Sequence, residues 1–249
     1  MLHETPLPHS LAARSVKIVR PRDASGTYTN PAVQFRRLAD AGKLVRVAHG
    51  YYAIPLAEWS GEAHWRPTPE SLALGIGIAD YGRDRVVLSG VSAARLLGVP
   101  PRAIAMAVVS IPVRRPPIET ISGPITFWHR STAELDFSKV RTELATGWSA
   151  TAEQALLDVA DHPELGALPV STATEVIRLL APRVDWFQVH DLSIRQQKRA
   201  AYARAAWVSS GLVSGSIPMI RPGRVVSTKG LTSHNDADPS AFGLAHDRS

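Results

Sequence analysis

A helix with clear signals at both ends is the feature that most constrains the fold of this 249-residue chain. Thr29 and Asn30 are residue types that cap helix N-termini, and Pro31 suits the first helical position. Gly42 suits the position just beyond a helix C-terminus, where the backbone turns left-handed. We therefore predict a helix over residues 31–41.

This helix is followed at once by a hairpin and preceded by two shorter helical segments. Residues 43–47 alternate between apolar and polar types, His49-Gly50 is a turn dipeptide, and residues 51–54 are strand formers. Upstream, residues 10–19 have helical spacing, and 20–26 contain a proline and a terminating glycine. Three helices and a small hairpin predict a winged helix-turn-helix domain over residues 1–62.

The positive charge of the chain is concentrated in this predicted domain. The whole sequence has 28 Lys and Arg, 22 Asp and Glu, and a formal net charge of +6. Residues 10–50 contain eight cationic residues and two aspartates, so this segment accounts for all of the excess. Such a concentration favours a polyanion as the partner, although a solvated basic face is the common alternative.

Double-stranded DNA is the polyanion that this order of elements suits. The predicted third helix has the size to enter a major groove with its polar, basic side outward, and the hairpin can reach the neighbouring backbone. A helical cap on a larger domain, with solvated arginines, is the other interpretation. The candidate DNA-binding residues are Arg20, Arg22, Thr29, Asn30, Val33, Gln34, Arg36, Arg37, Lys43, Arg46 and His49.

Three blocks of sequence resemble the AbiEi-type antitoxins. They are LADAGKLVRVAHGYYA at 38–53, LSGVSAARLLG at 88–98 and TAEQALLDVA at 151–160, in the order that the family shows. The resemblance spans roughly residues 10–165. It implies a winged-helix autorepressor in front, a toxin-neutralising domain behind, and a nucleotidyltransferase-type toxin encoded beside it.

The rest of the chain predicts a second domain of mixed α and β structure over residues 67–227. Residues 56–68 contain Trp59 and Trp65 without a sustained period, which predicts a linker whose tryptophans dock one domain on the other. Residues 228–249 are too polar to fold alone, so we expect a flexible tail. The fold class is therefore α+β. The predicted elements are helices at 68–79, 89–97, 151–161, 172–181 and 191–208, and strands at 85–88, 105–111 and 125–129.

The sequence contains no recognisable catalytic or metal-binding motif, and we predict no enzyme activity, cofactor or metal. The chain has no Cys, which excludes thiolate chemistry and zinc fingers. Residues 75–80, GIGIAD, resemble a dinucleotide fingerprint but place Asp80 where its third glycine belongs. Asp158, Asp161 and His162 come closest to a metal cluster, and their positions at one helix end favour capping.

Two further polar sets have a structural and a functional interpretation. Residues 151–160 fit a capped, packed helix, with Glu153, Gln154 or Asp158 as possible contacts to a partner. A basic helix over 191–208 is usually a solvated face, but it could contact phosphates or an acidic protein partner. This possible second basic surface comprises Arg195, Lys198, Arg199 and Arg204.

The sequence predicts a cytoplasmic DNA-binding antitoxin. It would repress its own operon at an inverted-repeat operator and counteract a nucleotidyltransferase-like toxin, without a membrane partner. We expect no signal peptide and no membrane span, because no apolar run is long enough. Two alternatives stay open at this point: a stand-alone winged-helix regulator without a toxin, and an enzyme with an unrecognised site in 67–227.

Overall fold

A computed structural model describes residues 7–56, 65–210, 218–221 and 224–227 of the chain. The predicted linker residue Trp59 and the predicted tail at 228–249 lie outside the described residues. Trp65 is described and is almost fully buried.

The N-terminal part contains the predicted helix and hairpin. The strands form an antiparallel three-stranded sheet in the order β1-β3-β2. The elements are α1 (His9–Ala12), β1 (Ile18–Val19), a 3-10 turn (Pro21–Ala24), α2 (Pro31–Asp40), β2 (Val45–Ala48) and β3 (Tyr51–Ala53). The α2 helix and the β2–β3 hairpin, which we call the wing, confirm the predicted helix over 31–41 and the predicted hairpin.

The predicted helix over 10–19 is wrong beyond residue 12. Ile18 and Val19 form a strand that pairs with Ala53 and Tyr52 of β3. Both side chains are fully buried, on opposite faces of the sheet. An extended backbone sends neighbouring side chains to opposite faces, which a helix would not do, and β-branched residues suit it. The predicted second helix is only the 3-10 turn.

The ends of α2 form as its sequence predicts. The Asn30 side chain caps the helix by accepting a hydrogen bond from the Val33 amide at 3.3 Å. Gly42 has a φ of +69°, the left-handed conformation expected just beyond a helix end. Phe35 packs edge-on against Tyr52 of β3, with ring centroids 5.3 Å apart. Capping fixes the length of α2, and this ring contact fixes which face is buried.

The second part is built on a mixed five-stranded sheet with the order β6-β5-β4-β8-β7. The β5–β6 and β4–β8 pairs are parallel, whereas β4–β5 and β7–β8 are antiparallel. A separate antiparallel pair, β9–β10, follows the last helix. The elements are α3 (Pro69–Tyr81), β4 (Val87–Leu88), α4 (Gly90–Leu96), β5 (Ala107–Ile111), β6 (Ile125–His129), β7 (Phe137–Arg141), β8 (Thr146–Ala150), α5 (Ala152–Asp161), α6 (Val170–Leu180), α7 (Trp186–Arg195), α8 (Arg199–Ser209), β9 (Pro218–Arg221) and β10 (Arg224–Ser227).

These elements confirm the α+β class with a mixed second region, and they correct two details. Strands β7 and β8 have no counterpart in the sequence-based assignment. The predicted helix over 191–208 is wrong as a single element, because α7 ends at Arg195 and α8 begins at Arg199. Gln197 between them has a φ of +56°, a left-handed conformation that is not helical. The sequence contains no Gly or Pro at this point that would predict the break.

The five-stranded sheet is covered on both faces. Val108 and Ala150 point to the side where α4 and α5–α8 pack, in a cluster that includes Leu156 and Tyr202. Val109 belongs to the cluster on the opposite face, together with α3. The sheet therefore forms the middle layer of the second part.

The N-terminal sheet shares the α3 side of this core. Ile18, Val47 and Tyr51 lie in the same apolar cluster as Leu72 and Ile76 of α3. The backbones also meet, since the Ile121 amide donates to the Val47 carbonyl at 2.9 Å and the Lys17 amide donates to Leu144 at 2.7 Å. The N-terminal sheet and α3 therefore share one apolar cluster.

Close approach of β1 to α3 requires a glycine in the helix. A Cβ atom on Gly75 would lie 2.7 Å from Cγ1 of Ile18, and one on Gly77 would lie 2.7 Å from Cγ1 of Val86. Both glycines lie in the middle of α3, so the fingerprint-like residues 75–80 are a packing surface and not a phosphate loop.

Ile18→Ala should destabilise the whole chain by about 2–4 kcal/mol, because it leaves a cavity in the shared cluster. Urea denaturation followed by circular dichroism should still show one cooperative transition, shifted to lower urea. Ile194→Ala removes the same atoms from a partly exposed site on α7 and should cost under about 1 kcal/mol. Equal losses for the two variants would contradict the shared core.

Candidate nucleic-acid interface

The outer face of α2 carries two arginines that the rest of the described chain does not engage. Arg36 and Arg37 are exposed, as are Ala32 and Val33 on the same side of the helix. Among the residues that the structure describes, neither arginine forms an ion pair or a side-chain hydrogen bond. Their guanidinium groups are therefore available to an anion or to base edges.

The wing adds a third exposed arginine on the same side of the sheet as α2. Arg46 of β2 lies directly opposite Tyr52 of β3, and paired residues of antiparallel strands share a face. Tyr52 packs against Phe35 of α2, so Arg46 projects from the α2 side. Arg46 and His49 are exposed, and Lys43 is half-buried between α2 and the wing. We call Arg36, Arg37 and Arg46 the α2–wing face.

The cations of residues 10–25 form ion pairs or hydrogen bonds with other groups of the same chain. The Lys17 amino group donates to the carbonyl of Ala12 at 2.9 Å, and three arginines form ion pairs. These pairs are Arg14 with Asp23 at 3.2 Å, Arg20 with Asp80 at 2.6 Å and Arg22 with Asp80 at 3.0 Å. The cations of the basic segment therefore fall into two groups: those with a partner in the chain, and the exposed arginines of the α2–wing face.

The polar candidates at the start of α2 have different surroundings. Thr29 is exposed, whereas the Asn30 oxygen is committed to the helix cap. Gln34 is half-buried, and its side-chain oxygen has no hydrogen-bond partner among the described residues. Val33 is 38% exposed and offers an apolar surface beside the arginines. These residues lie at the start of α2 and stay candidates for contacts with DNA.

Comparison with known families bears on this same segment. Residues 10–55 match the family model described as transcriptional regulator, AbiEi antitoxin. They match the AbiEi antitoxin family. No curated protein matches the chain. The match supports a DNA-binding antitoxin regulator. It confirms the N-terminal resemblance inferred from the sequence and ends just after the wing.

The AbiEi-matched segment is attached to the second part through Asp80, at the C-terminal end of α3. One oxygen of Asp80 accepts hydrogen bonds from Arg20 and Arg22, and the other accepts from the Tyr51 hydroxyl at 2.5 Å and from Arg115 at 2.8 Å. The Arg20 guanidinium also lies 4.5 Å from the centroid of the Tyr51 ring. We call these five residues the Asp80 cluster.

The cluster keeps Asp80 ionised. Burial alone raises the pKa of Asp80, but the hydrogen bonds from Tyr51 and Arg20 outweigh it, and the net shift is downward. The Tyr51 pKa is raised, mainly by burial and also by its hydrogen bond to Asp80. Arg20 and Arg22, both sequence-predicted DNA contacts, thus donate to a carboxylate of the same chain.

The possible second basic surface is mostly paired within the chain. Arg195 forms an ion pair with Asp191 at 2.9 Å, and the Lys198 amino group pairs with Asp161. Arg204 donates to the carbonyl of Ala160, and Arg199 is exposed without a partner among the described residues. The surface stays a prediction, but it offers fewer available cations than the α2–wing face.

The two later sequence blocks meet at a half-buried arginine, Arg130, that the sequence analysis did not identify. Arg130, just after β6, pairs with both oxygens of Asp158 at 2.7 and 2.5 Å. It also donates to the hydroxyls of Ser89 and Ser110, while the Gly90 amide faces Asp158 at 3.3 Å. The pair therefore holds the start of α4 against α5. Ser89 and Gly90 at the start of α4 and Asp158 within α5 form no sequence motif that would indicate this pairing.

Gln154 and Asp158 are buried, so the interpretation of these two residues as partner contacts is wrong. Gln154 donates to Asp158 at 2.8 Å, and Glu153 accepts from the Asp185 amide at 3.1 Å. Among the described residues, no group of three His, Asp or Glu side chains is arranged to hold a metal. Over the same residues, no helix is long and apolar enough to cross a membrane.

Replacing Asp80 should give a pH-dependent loss of stability. Because the folded pKa of Asp80 is lowered, its ionised form stabilises the fold above the unfolded pKa of about 3.9. We expect Asp80→Asn to cost about 2 kcal/mol at pH 7, the scale of hydrogen bonds to a charged group. Urea denaturation between pH 7 and pH 2.5 should show this difference shrinking as Asp80 of the wild type becomes protonated.

Glu175→Gln is the matched control for this pH series. It removes one carboxylate from an exposed ion pair with Arg102 and should change stability by under about 1 kcal/mol at every pH. A cost of Asp80→Asn that is the same at pH 7 and pH 2.5 would contradict the electrostatic role of Asp80.

Proposed function

We propose that this protein is an antitoxin that represses its own toxin–antitoxin operon and counteracts a nucleotidyltransferase-type toxin. The observation that carries the DNA-binding part is the α2–wing face, with three exposed arginines that lack partners within the described chain. The family match over residues 10–55 covers this same face. The toxin part rests on the resemblance of the three sequence blocks.

In this proposal α2 enters the major groove of the operator. Its ten residues make a rod about 15 Å long, which a major groove about 12 Å wide can accept side-on. Arg36 and Arg37 are then placed to contact base edges, where an arginine pairs best with both acceptors of a guanine. Val33 supplies an apolar contact of the kind that recognises a thymine methyl group.

The wing supplies contacts to phosphates beside that groove. Arg46 and His49 are exposed near the turn of the hairpin. Arg46 projects from the side of the sheet that faces α2. Phosphate contacts fix the register of a protein on DNA without reading its sequence. An inverted-repeat operator would present the same half-site to each of two copies of the chain.

A stand-alone regulator without a toxin is the second candidate function. The observation in its favour is that the family match ends at residue 55 and leaves the larger part of the chain outside it. A reading frame for a nucleotidyltransferase next to this gene separates the two candidates. Its presence would support the antitoxin role, and its absence would favour the regulator.

Arg37→Ala should weaken binding to the operator by about 1–3 kcal/mol and leave binding to random DNA nearly unchanged, because it removes a base contact. Fluorescence anisotropy with a labelled promoter duplex and a scrambled duplex measures both. Arg178→Ala removes another exposed cation, from α6, and should change neither affinity. Equal weakening on both duplexes would contradict base reading by Arg37.

The same Arg37→Ala variant should still protect cells from the toxin. Arg37 lies on the outer face of α2, and we assign toxin neutralisation to the part of the chain beyond residue 66. Co-expression with the neighbouring toxin measures growth, and a promoter fusion in the same cells measures repression. We expect repression to disappear and growth to continue. Loss of both at normal protein levels would contradict the division of the two activities.

A further inference from the structure

We infer that Asp80 and Arg115 are positioning residues for DNA binding, because they hold Tyr51 of the wing against the end of α3. The DNA-reading unit would then extend beyond the family-matched residues 10–55 into the second part of the chain. This inference rests on the proposed function, and it concerns residues that would not themselves touch DNA.

Tyr51 is the residue of the wing that Asp80 and Arg115 contact. It is the first residue of β3, directly after the turn His49-Gly50 at the tip of the wing. Its hydroxyl donates to Asp80 and accepts from Arg115 at 2.7 Å, and its side chain is buried. The tip of the wing is therefore tied to the end of α3 by one aromatic side chain.

Arg115 connects Tyr51 and Asp80 to the five-stranded sheet. Its guanidinium lies 4.2 Å from the centroid of the Phe127 ring, and Phe127 is a buried residue in the middle of β6. The Arg115 side chain is only 15% exposed. The planar guanidinium of Arg115 donates to Asp80 and to the Tyr51 hydroxyl, and such a fork loses little freedom for each hydrogen bond that it forms. The Asp80 cluster therefore links the wing to the sheet.

The outer strand of the wing has a second attachment to the same sheet. Ala48 of β2 forms an antiparallel bridge with Thr120, and the Ile121 amide donates to Val47 at 2.9 Å. The segment that contains Thr120 pairs in turn with β6, through two hydrogen bonds between Ile118 and Ile125 of 3.1 and 2.9 Å. Both strands of the wing are thus fixed by residues of the second part.

Charge and position make opposite predictions for Asp80. Asp80→Asn removes a negative charge that lies among three arginines, so a purely electrostatic account predicts tighter binding to DNA. A positioning account predicts weaker binding, because Asn cannot hold the donors that an ionised carboxylate holds. The sign of the change therefore separates the two accounts.

The test compares Asp80→Asn, Tyr51→Phe and Glu175→Gln in the full chain. Each binds the labelled promoter duplex and a scrambled duplex over a series of salt concentrations. We expect Asp80→Asn and Tyr51→Phe to weaken promoter binding on the order of tenfold, and to reduce the salt slope by about 1 for each phosphate that the wing no longer reaches. Glu175→Gln adds the same charge from a remote ion pair and should not weaken binding.

The salt slope distinguishes positioning from partial unfolding. A smaller folded fraction lowers the apparent affinity but leaves the slope of the folded molecules unchanged, and a thermal transition reports that fraction directly. Tyr51→Phe keeps the ring and the net charge, so it decides the matter if Asp80→Asn does not fold.

The outcomes separate this inference from the proposed function. Wild-type protein that binds both duplexes equally, or neither, would contradict the proposed function and the inference with it. Wild-type protein that prefers the promoter, with variants that bind as tightly as wild type and keep its salt slope, would overturn the inference alone. Weakened variants with a reduced slope would support both.

Discussion

The three-stranded sheet of the N-terminal part buries apolar side chains on both faces, and the rest of the structure depends on covering both. One face packs against α2 in a cluster of eight buried residues, which is small for an independent domain. The other face packs against α3, where Gly75 lets Ile18 approach the helix. The basic segment is consequently one layer of a larger molecule.

That arrangement also sorts the charges of the segment. Where its inner side meets α3, Asp80 pairs with Arg20 and Arg22 of the segment and with Arg115 of the second part. Arg14 pairs with Asp23 within the segment itself. On its outer side, the α2–wing face has no described carboxylate paired with its arginines. Fewer cations of the segment are therefore available to bind a ligand than the sequence suggests, and the fold determines which cations these are.

Local signals in the sequence were sufficient for α2 and the wing but not for their surroundings. Asn30 and Gly42 set the ends of α2 through bonds to near neighbours, so capping rules apply directly. Ile18 and Val19 also have helical spacing with their neighbours, and only their pairing with β3 makes them a strand. Tertiary contacts decided that segment, and local propensity did not.

The polar clusters were beyond prediction for a related reason. Arg130 meets Asp158 across 28 residues and Arg20 meets Asp80 across 60, so neither pair leaves a motif in the sequence. Strands β7 and β8 are partly exposed and lack a strong apolar alternation, which explains why they gave no signal. The outward position of Arg36 and Arg37 on α2 could be predicted from helical periodicity. The ion pairs of Arg20 and Arg22 with Asp80 could not, because they depend on the tertiary fold.

Amide hydrogen exchange of the full chain, with and without its promoter duplex, tests the central claim most directly. The account places DNA against α2 and the wing, so it predicts slower exchange over residues 30–37 and 43–50 in the complex and no change over α8. Slower exchange over α7 and α8, with α2 and the wing unchanged, would contradict it and would place the DNA on the second basic surface.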